Sequence, residues 1–174
     1  TPIPRTLALT LFGDLELTVI DMMPKNRKRI ITEIVKSSRR DETYEFIRKE
    51  LQAGRQVYVI CPRIDEPDPE KEKALIAKSV IAEAKRLEKD IFPEFRIGII
   101  HSKMTKDKKE SAMQTFARHE TDILVATSVV EVGVNVPEAT VMVIEHAERF
   151  GLAQLHQLRG RVGRSERPSR CILL

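Results

Sequence analysis

The sequence predicts an α/β fold, a mostly parallel sheet with helices on both faces. Short apolar runs alternate with longer amphipathic stretches throughout the 174 residues. Several of those runs are nearly continuous, as in strands covered on both sides. The connections between them are long enough for helical crossovers, which parallel strands require. A chain of this length fits one ordinary domain with a substantial core.

Taken in order, the chain opens T-P-I-P-R-T, which reads as the interior of a longer protein. Residues 4–12 fit a short helix with Pro4 in its first turn. Residues 15–20 fit a short strand that Pro24 and Asn26 break. Residues 30–35 read as the next strand. Asp41 is the expected N-cap of a helix carrying Tyr44, Ile47 and Leu51 on one face, with Gly54 as its stop.

Residues 57–61 form a nearly continuous apolar run, and residues 62–69 a polar loop. Ile76, Val80, Ala84, Leu87 and Ile91 then recur at helical spacing, with Pro93 just past the end. Residues 96–100 are the next strand. A helix follows from Thr105 or Lys106 to His119, with Met113 and Phe116 inward. Residues 122–126 and 141–144 are two more strands, separated by an irregular stretch carrying Gly133, Asn135 and Pro137. Gly151 opens a helix expected to bear the arginines that follow, and residues 171–174 begin a last strand. In such sheets function collects at the carboxyl ends of strands, where His101, Thr127 and Glu145 all fall.

The formal net charge of +4 is local. Residues 154–174 hold five arginines and one acid, an excess equal to that of the whole chain. A concentrated patch suits a polyanion, although a solvated basic surface is the simpler alternative. No apolar run approaches a membrane span, so no membrane partner is expected. Cys61 and Cys171 lie in apolar runs without zinc-type spacing, and read as buried thiols of a cytoplasmic protein.

None of the seven glycines offers the G-x-x-x-x-G-K-[ST] loop that cradles nucleotide phosphates. Asp65, Glu66 and Asp68 imitate an acidic metal box, but they follow Pro62 and Arg63 in a loop. Residues 157–164 nevertheless read Q-L-R-G-R-V-G-R, with Arg159, Arg161 and Arg164 spaced by glycines. Arginine forks give paired hydrogen bonds to phosphate and stay charged near neutral pH. On a helix, Arg161 and Arg164 would share a face.

Residues 157–164 resemble the Q-x-x-G-R-x-G-R sixth motif of superfamily-two helicases, and residues 123–137, I-L-V-A-T-S-V-V-E-V-G-V-N-V-P, resemble their fifth. The opening T-P-I-P-R-T looks like the tail of the third. Residues 12–21 and 147–157 look most like the RecG family of branched-DNA helicases, with transcription-repair coupling translocases sharing much of the pattern.

The resemblance implies a RecA-like second motor lobe spanning residues 25–174, with residues 1–24 as the junction from the preceding lobe of the same chain. ATP and Mg2+ would be held mainly by that preceding lobe, and this lobe alone would neither bind the cofactors nor act as an enzyme. Arg161 and Arg164 would be finger arginines. Gln157, Gly133, Asn135, Gly160 and Gly163 would line the same ATP cleft. Thr127, Ser128, Lys103, His101 and Arg63 would meet branched or duplex DNA.

Alternatives stand beside these roles. Thr127 and Ser128 could cap a turn, and Arg159 could pair with Glu145 or Glu148. Asn135 stands where the motif commonly has aspartate, and Ser102 where it commonly has glycine. A non-catalytic nucleic-acid-binding module is the rival of a different class. The scarcity of aromatics, six Phe and two Tyr without Trp, favours contacts along a DNA backbone over base stacking.

Overall fold

The computed structural model describes residues 28–62, 69–127 and 136–174. The expectations for residues 4–12 and 15–20, and those placed on Arg63, the acidic stretch 65–68, Ser128, Gly133 and Asn135, lie outside the described residues.

Six strands form one sheet: β1 (Ile31–Ile34), β2 (Gln56–Cys61), β3 (Ile97–Ile100), β4 (Ile123–Thr127), β5 (Ala139–Ile144) and β6 (Arg170–Leu173). Their order across the sheet is β1-β6-β5-β2-β4-β3, and every pairing is parallel. Among the described residues, four α-helices accompany them: α1 (Arg40–Gln52), α2 (Pro69–Arg86), α3 (Lys106–Ala117) and α4 (Leu152–Arg159). A π-helical turn, Leu87–Ile91, prolongs α2 toward Pro93.

The central strands are buried throughout, and their two-residue alternation serves two cores. Val57, Val59, Val125, Val141 and Val143 face Tyr44, Ile47 and Leu51 of α1 and Val80 and Ala84 of α2. Tyr58, Ile60, Leu124, Met142 and Ile144 face Met113 and Phe116 of α3 and Leu158 of α4. This division is why β2, β4 and β5 read as unbroken apolar runs. Each buried large apolar side chain contributes roughly 1.5–3 kcal/mol relative to exposure.

Two local expectations are corrected. Arg39, not Asp41, stands at the N-cap of α1, and no side chain caps it; Asp41 and Glu42 sit in the first turn instead, where acids complement the helix dipole. The helix that was expected to bear the arginines ends at Arg159, with Gly160 as its C-cap. Arg161 and Arg164 therefore lie in the turn beyond it and share no helical face. The stop at Gly54 holds, with φ at +74°, a conformation a glycine adopts without strain.

Candidate functional site

The parallel register brings the ends of β2, β4 and β5 to one rim. Cys61 pairs with Thr127, Ile60 pairs with Ile144, and the amide of Glu145 donates to the Ile60 carbonyl at 2.9 Å. His101 follows Ile100, which pairs with Ala126. His101, Thr127 and Glu145 thus share the carboxyl rim, as expected.

Glu145 is buried there, and its carboxylate accepts a 2.6 Å hydrogen bond from Arg40 Nη2 with Arg86 Nη2 at 4.0 Å. Arg86 also reaches both carboxylate oxygens of Glu83 and donates to the Tyr44 hydroxyl at 2.9 Å. This cluster ties the start of α1 and the end of α2 to the central strand. Each guanidinium has a carboxylate. The suggested pairing of Arg159 with Glu145 or Glu148 is not formed: Arg159 Nη2 lies 3.2 Å from His156 Nδ1, and Glu148 pairs with His146.

Beside this rim, Lys103 is exposed in the turn before α3, and Thr105 caps that helix by accepting from the Lys108 amide. His101 Nδ1 is buried without a hydrogen-bond partner among the described residues. Burial, together with the positive charges of Lys109 and Lys103, holds the imidazole below its ordinary pKa and so favours the neutral ring. A neutral ring among lysines can hydrogen-bond a phosphate or order the loop, but does not add a cation.

The arginine turn lies at the opposite end. After α4 descends from the rim, residues 160–169 run among the segments that enter the strands. The Ile31 amide donates to the Ser169 carbonyl, the Gln56 amide donates to the Glu138 carbonyl, and Arg167 pairs with Glu138 at 2.8 Å. Five residues of β4 separate the two ends, about 15 Å at the usual strand rise. Among the described residues, His101, Thr127 and Lys103 therefore lie at or beside the carboxyl rim, and Arg161, Gly163 and Arg164 at the amino edge of the same sheet.

Within the turn, Val162 is fully buried in the α3–α4 core and anchors the backbone. Arg161 is half-buried and Arg164 exposed, and neither makes an ion pair among the described residues. Arg164 Nε only reaches the Gly160 carbonyl at 3.5 Å. Gln157 is exposed one helical turn before Arg161. Gly163 has φ +69°, and a Cβ there would stand 2.6 Å from Ile30 Cγ1. Beneath the turn, burial raises the Tyr58 phenol to about 12 against the opposing pull of the Arg164 and Arg161 guanidinium groups. The turn thus presents two unneutralised forks on a rigid base.

Sequence reasoning missed Tyr58 and Ile30, which support this turn, and the Arg40–Arg86–Tyr44 surroundings of Glu145. The first two read as ordinary core positions in apolar runs. The last was visible only as an acid at a strand end, with its partners 105 and 59 residues away.

An α/β sheet of this order with an open arginine turn defines a class: residues 38–166 match the helicase conserved C-terminal domain, and the chain belongs to that family. Its full length is 52% identical to the ATP-dependent DNA helicase RecG of Synechocystis sp., covering 20% of that protein. It is 48% identical to the ATP-dependent DNA helicase RecG of Thermotoga maritima, covering 22%. Among solved structures, RecG bound to a three-way DNA junction superposes with a TM-score of 0.80 and 45% identity, over 99% of this chain and 22% of that one. The chain spans about a fifth of each of these relatives.

Proposed function

We propose that this chain works as the second motor lobe of a RecG-like, ATP-dependent helicase acting on branched DNA in recombination and repair. The observation that carries it is the open arginine turn: two forks on a rigid base, with no carboxylate to neutralise them among the described residues. ATP with Mg2+ sits mainly on the preceding lobe. Arg161 and Arg164 reach its γ-phosphate when the lobes close, with Gln157 beside them and Gly160 and Gly163 allowing close backbone approach. Gly133 and Asn135 belong to the same cleft, and this lobe holds no nucleotide by itself.

At the carboxyl rim, Lys103, Thr127 and His101 meet the DNA backbone, and Ser128 and Arg63 share that role, through contacts that position without reading sequence. A lobe that grips DNA at one edge and nucleotide phosphate at the other converts cleft closure into a step along the duplex. The same-chain motor lobe and branched or duplex DNA are its partners, and the cytoplasm is its compartment. No described helix is long and apolar enough to cross a membrane. The RecG names among its relatives, and the three-way DNA junction bound in the RecG structure it resembles, favour branch processing over transcription-repair coupling.

The direct test is Arg164→Ala in the full-length helicase. DNA-stimulated ATP turnover is expected to fall about 10³-fold or more, with ATP affinity changed little. Retained turnover would remove Arg164 from the finger role.

A further inference from the structure

We infer that Ile30 is a positioning residue for the arginine turn, setting where Arg161 and Arg164 stand relative to the nucleotide; the inference rests on the finger reading of those arginines. Ile30 immediately precedes β1 and is half-buried against the α3–α4 core. Its side chain occupies the space that a side chain on residue 163 would need. A Cβ at Gly163 would lie 2.6 Å from Ile30 Cγ1 and 3.0 Å from Cδ1, with Ser169 Cβ at 3.7 Å. The backbone of Gly163 therefore rests directly on Ile30, in a conformation with φ +69° that a larger residue adopts only with strain.

The turn is held from two sides. Val162 is fully buried and pulls the backbone toward the sheet. Ile30 limits how it settles at the next residue. Ile30 is itself fixed, because the following amide, Ile31 N–H, donates to the Ser169 carbonyl at 3.0 Å and β1 pairs in register with β6 from Ile31 and Arg170 onward. Ser169, buried beside the same contact, immediately precedes β6, the strand that leaves the arginine turn. The segment entering β1, Gly163 and Ser169 are thus one packed unit.

Arg161 and Arg164 flank Val162 and Gly163, so displacement of these two residues moves both guanidinium groups together. A misplacement on the order of 1 Å in a catalytic constellation lowers rates by about 10²-fold. Truncating Ile30 removes the side chain packed against Gly163, and Arg161 and Arg164 have no ion pair among the described residues to hold them.

The experiment compares Ile30→Ala, Ile30→Val and Arg164→Ala in the full-length helicase, measuring forked-DNA-stimulated kcat and KM for ATP and the melting temperature. Ile30→Ala is expected to lower kcat about 10- to 100-fold with KM for ATP within about twofold. Ile30→Val, which keeps branched carbon against Gly163, is expected to recover turnover to within about threefold of the parent. Normal kcat in Ile30→Ala, or loss confined to melting temperature, would overturn the positioning role while Arg164→Ala remained inactive. Retained turnover in Arg164→Ala would instead overturn the finger reading itself. Should Ile30→Ala not fold, Gly163→Ala supplies the converse: a side chain pressed on an intact Ile30 should lower kcat in the same pattern, and an unchanged kcat would again count against the contact.

Discussion

At the carboxyl rim, Arg40 and Arg86 meet Glu145 and Glu83, with the Tyr44 hydroxyl between them. At the amino edge, Arg161 and Arg164 meet no carboxylate among the described residues, although Val162 between them is as deeply buried as any core residue. Both regions place arginines over a rigid strand end. They differ in whether a counter-charge lies among the described residues. Where one does, the arginines lock helices to the sheet; where none does, we propose that the charge is left for a phosphate from outside.

The same distinction dissolves the local basic excess. Of the five arginines in residues 154–174, Arg167 pairs with Glu138, and Arg170 pairs with Glu33 while its guanidinium lies 4.4 Å from the centroid of the Phe46 ring. Arg159 turns toward His156. Among the described residues, the patch that looked like one polyanion surface leaves Arg161 and Arg164 as two forks without an ion pair.

The largest effect should come from the open end. Arg161→Ala in the full-length helicase is expected to lower ATP turnover by about 10³-fold without destabilising the fold, because no ion pair among the described residues is lost. A turnover within tenfold of the parent would leave Arg164 as the only finger. The closed end should respond in the opposite way. Glu145→Gln is expected to cost about 2 kcal/mol of stability in denaturant titration, less than for a fully buried pair because Arg40 and Arg86 are each about a third exposed. An unchanged unfolding midpoint would mean that the rim cluster does not lock α1 and α2 to β5.

The smallest effect belongs to another paired arginine, Arg96. Burial raises the Asp122 carboxyl, but hydrogen bonds from Arg96 outweigh it and hold the pKa below the usual value. A depressed folded pKa contributes stability above the unfolded value of about 4 and loses it as pH falls through the folded value. Asp122→Asn should therefore lower the melting temperature slightly at pH 7, with the difference from the parent closing below about pH 4. A difference that persisted in acid would assign the effect to packing.

Much of this was legible from residue order. Strand and helix positions followed from apolar periodicity because β2, β4 and β5 are covered on both faces and α1 and α2 on one. The candidate arginines followed from their glycine spacing. The two-ended arrangement did not, because it depends on α4 stopping at Arg159 after only eight residues. A longer helix would have carried Arg161 and Arg164 onto one face; Gly160 instead ends it and lets the chain turn beneath the strand entries. Counter-charges were equally hidden, since Glu145 finds Arg40 at 105 residues' separation.

The separation of the two edges is tested most directly by comparing Lys103→Ala with Arg164→Ala in forked-DNA-stimulated ATP hydrolysis by the full-length helicase, titrating DNA at fixed saturating ATP. Lys103→Ala should raise the DNA concentration needed for half-maximal stimulation and reduce its salt dependence by about one counterion, with kcat at saturating DNA preserved. Arg164→Ala should do the reverse, abolishing kcat while DNA affinity stays at the parent value. If both substitutions weakened DNA binding alike, or both removed kcat alike, the two edges would not divide DNA from nucleotide.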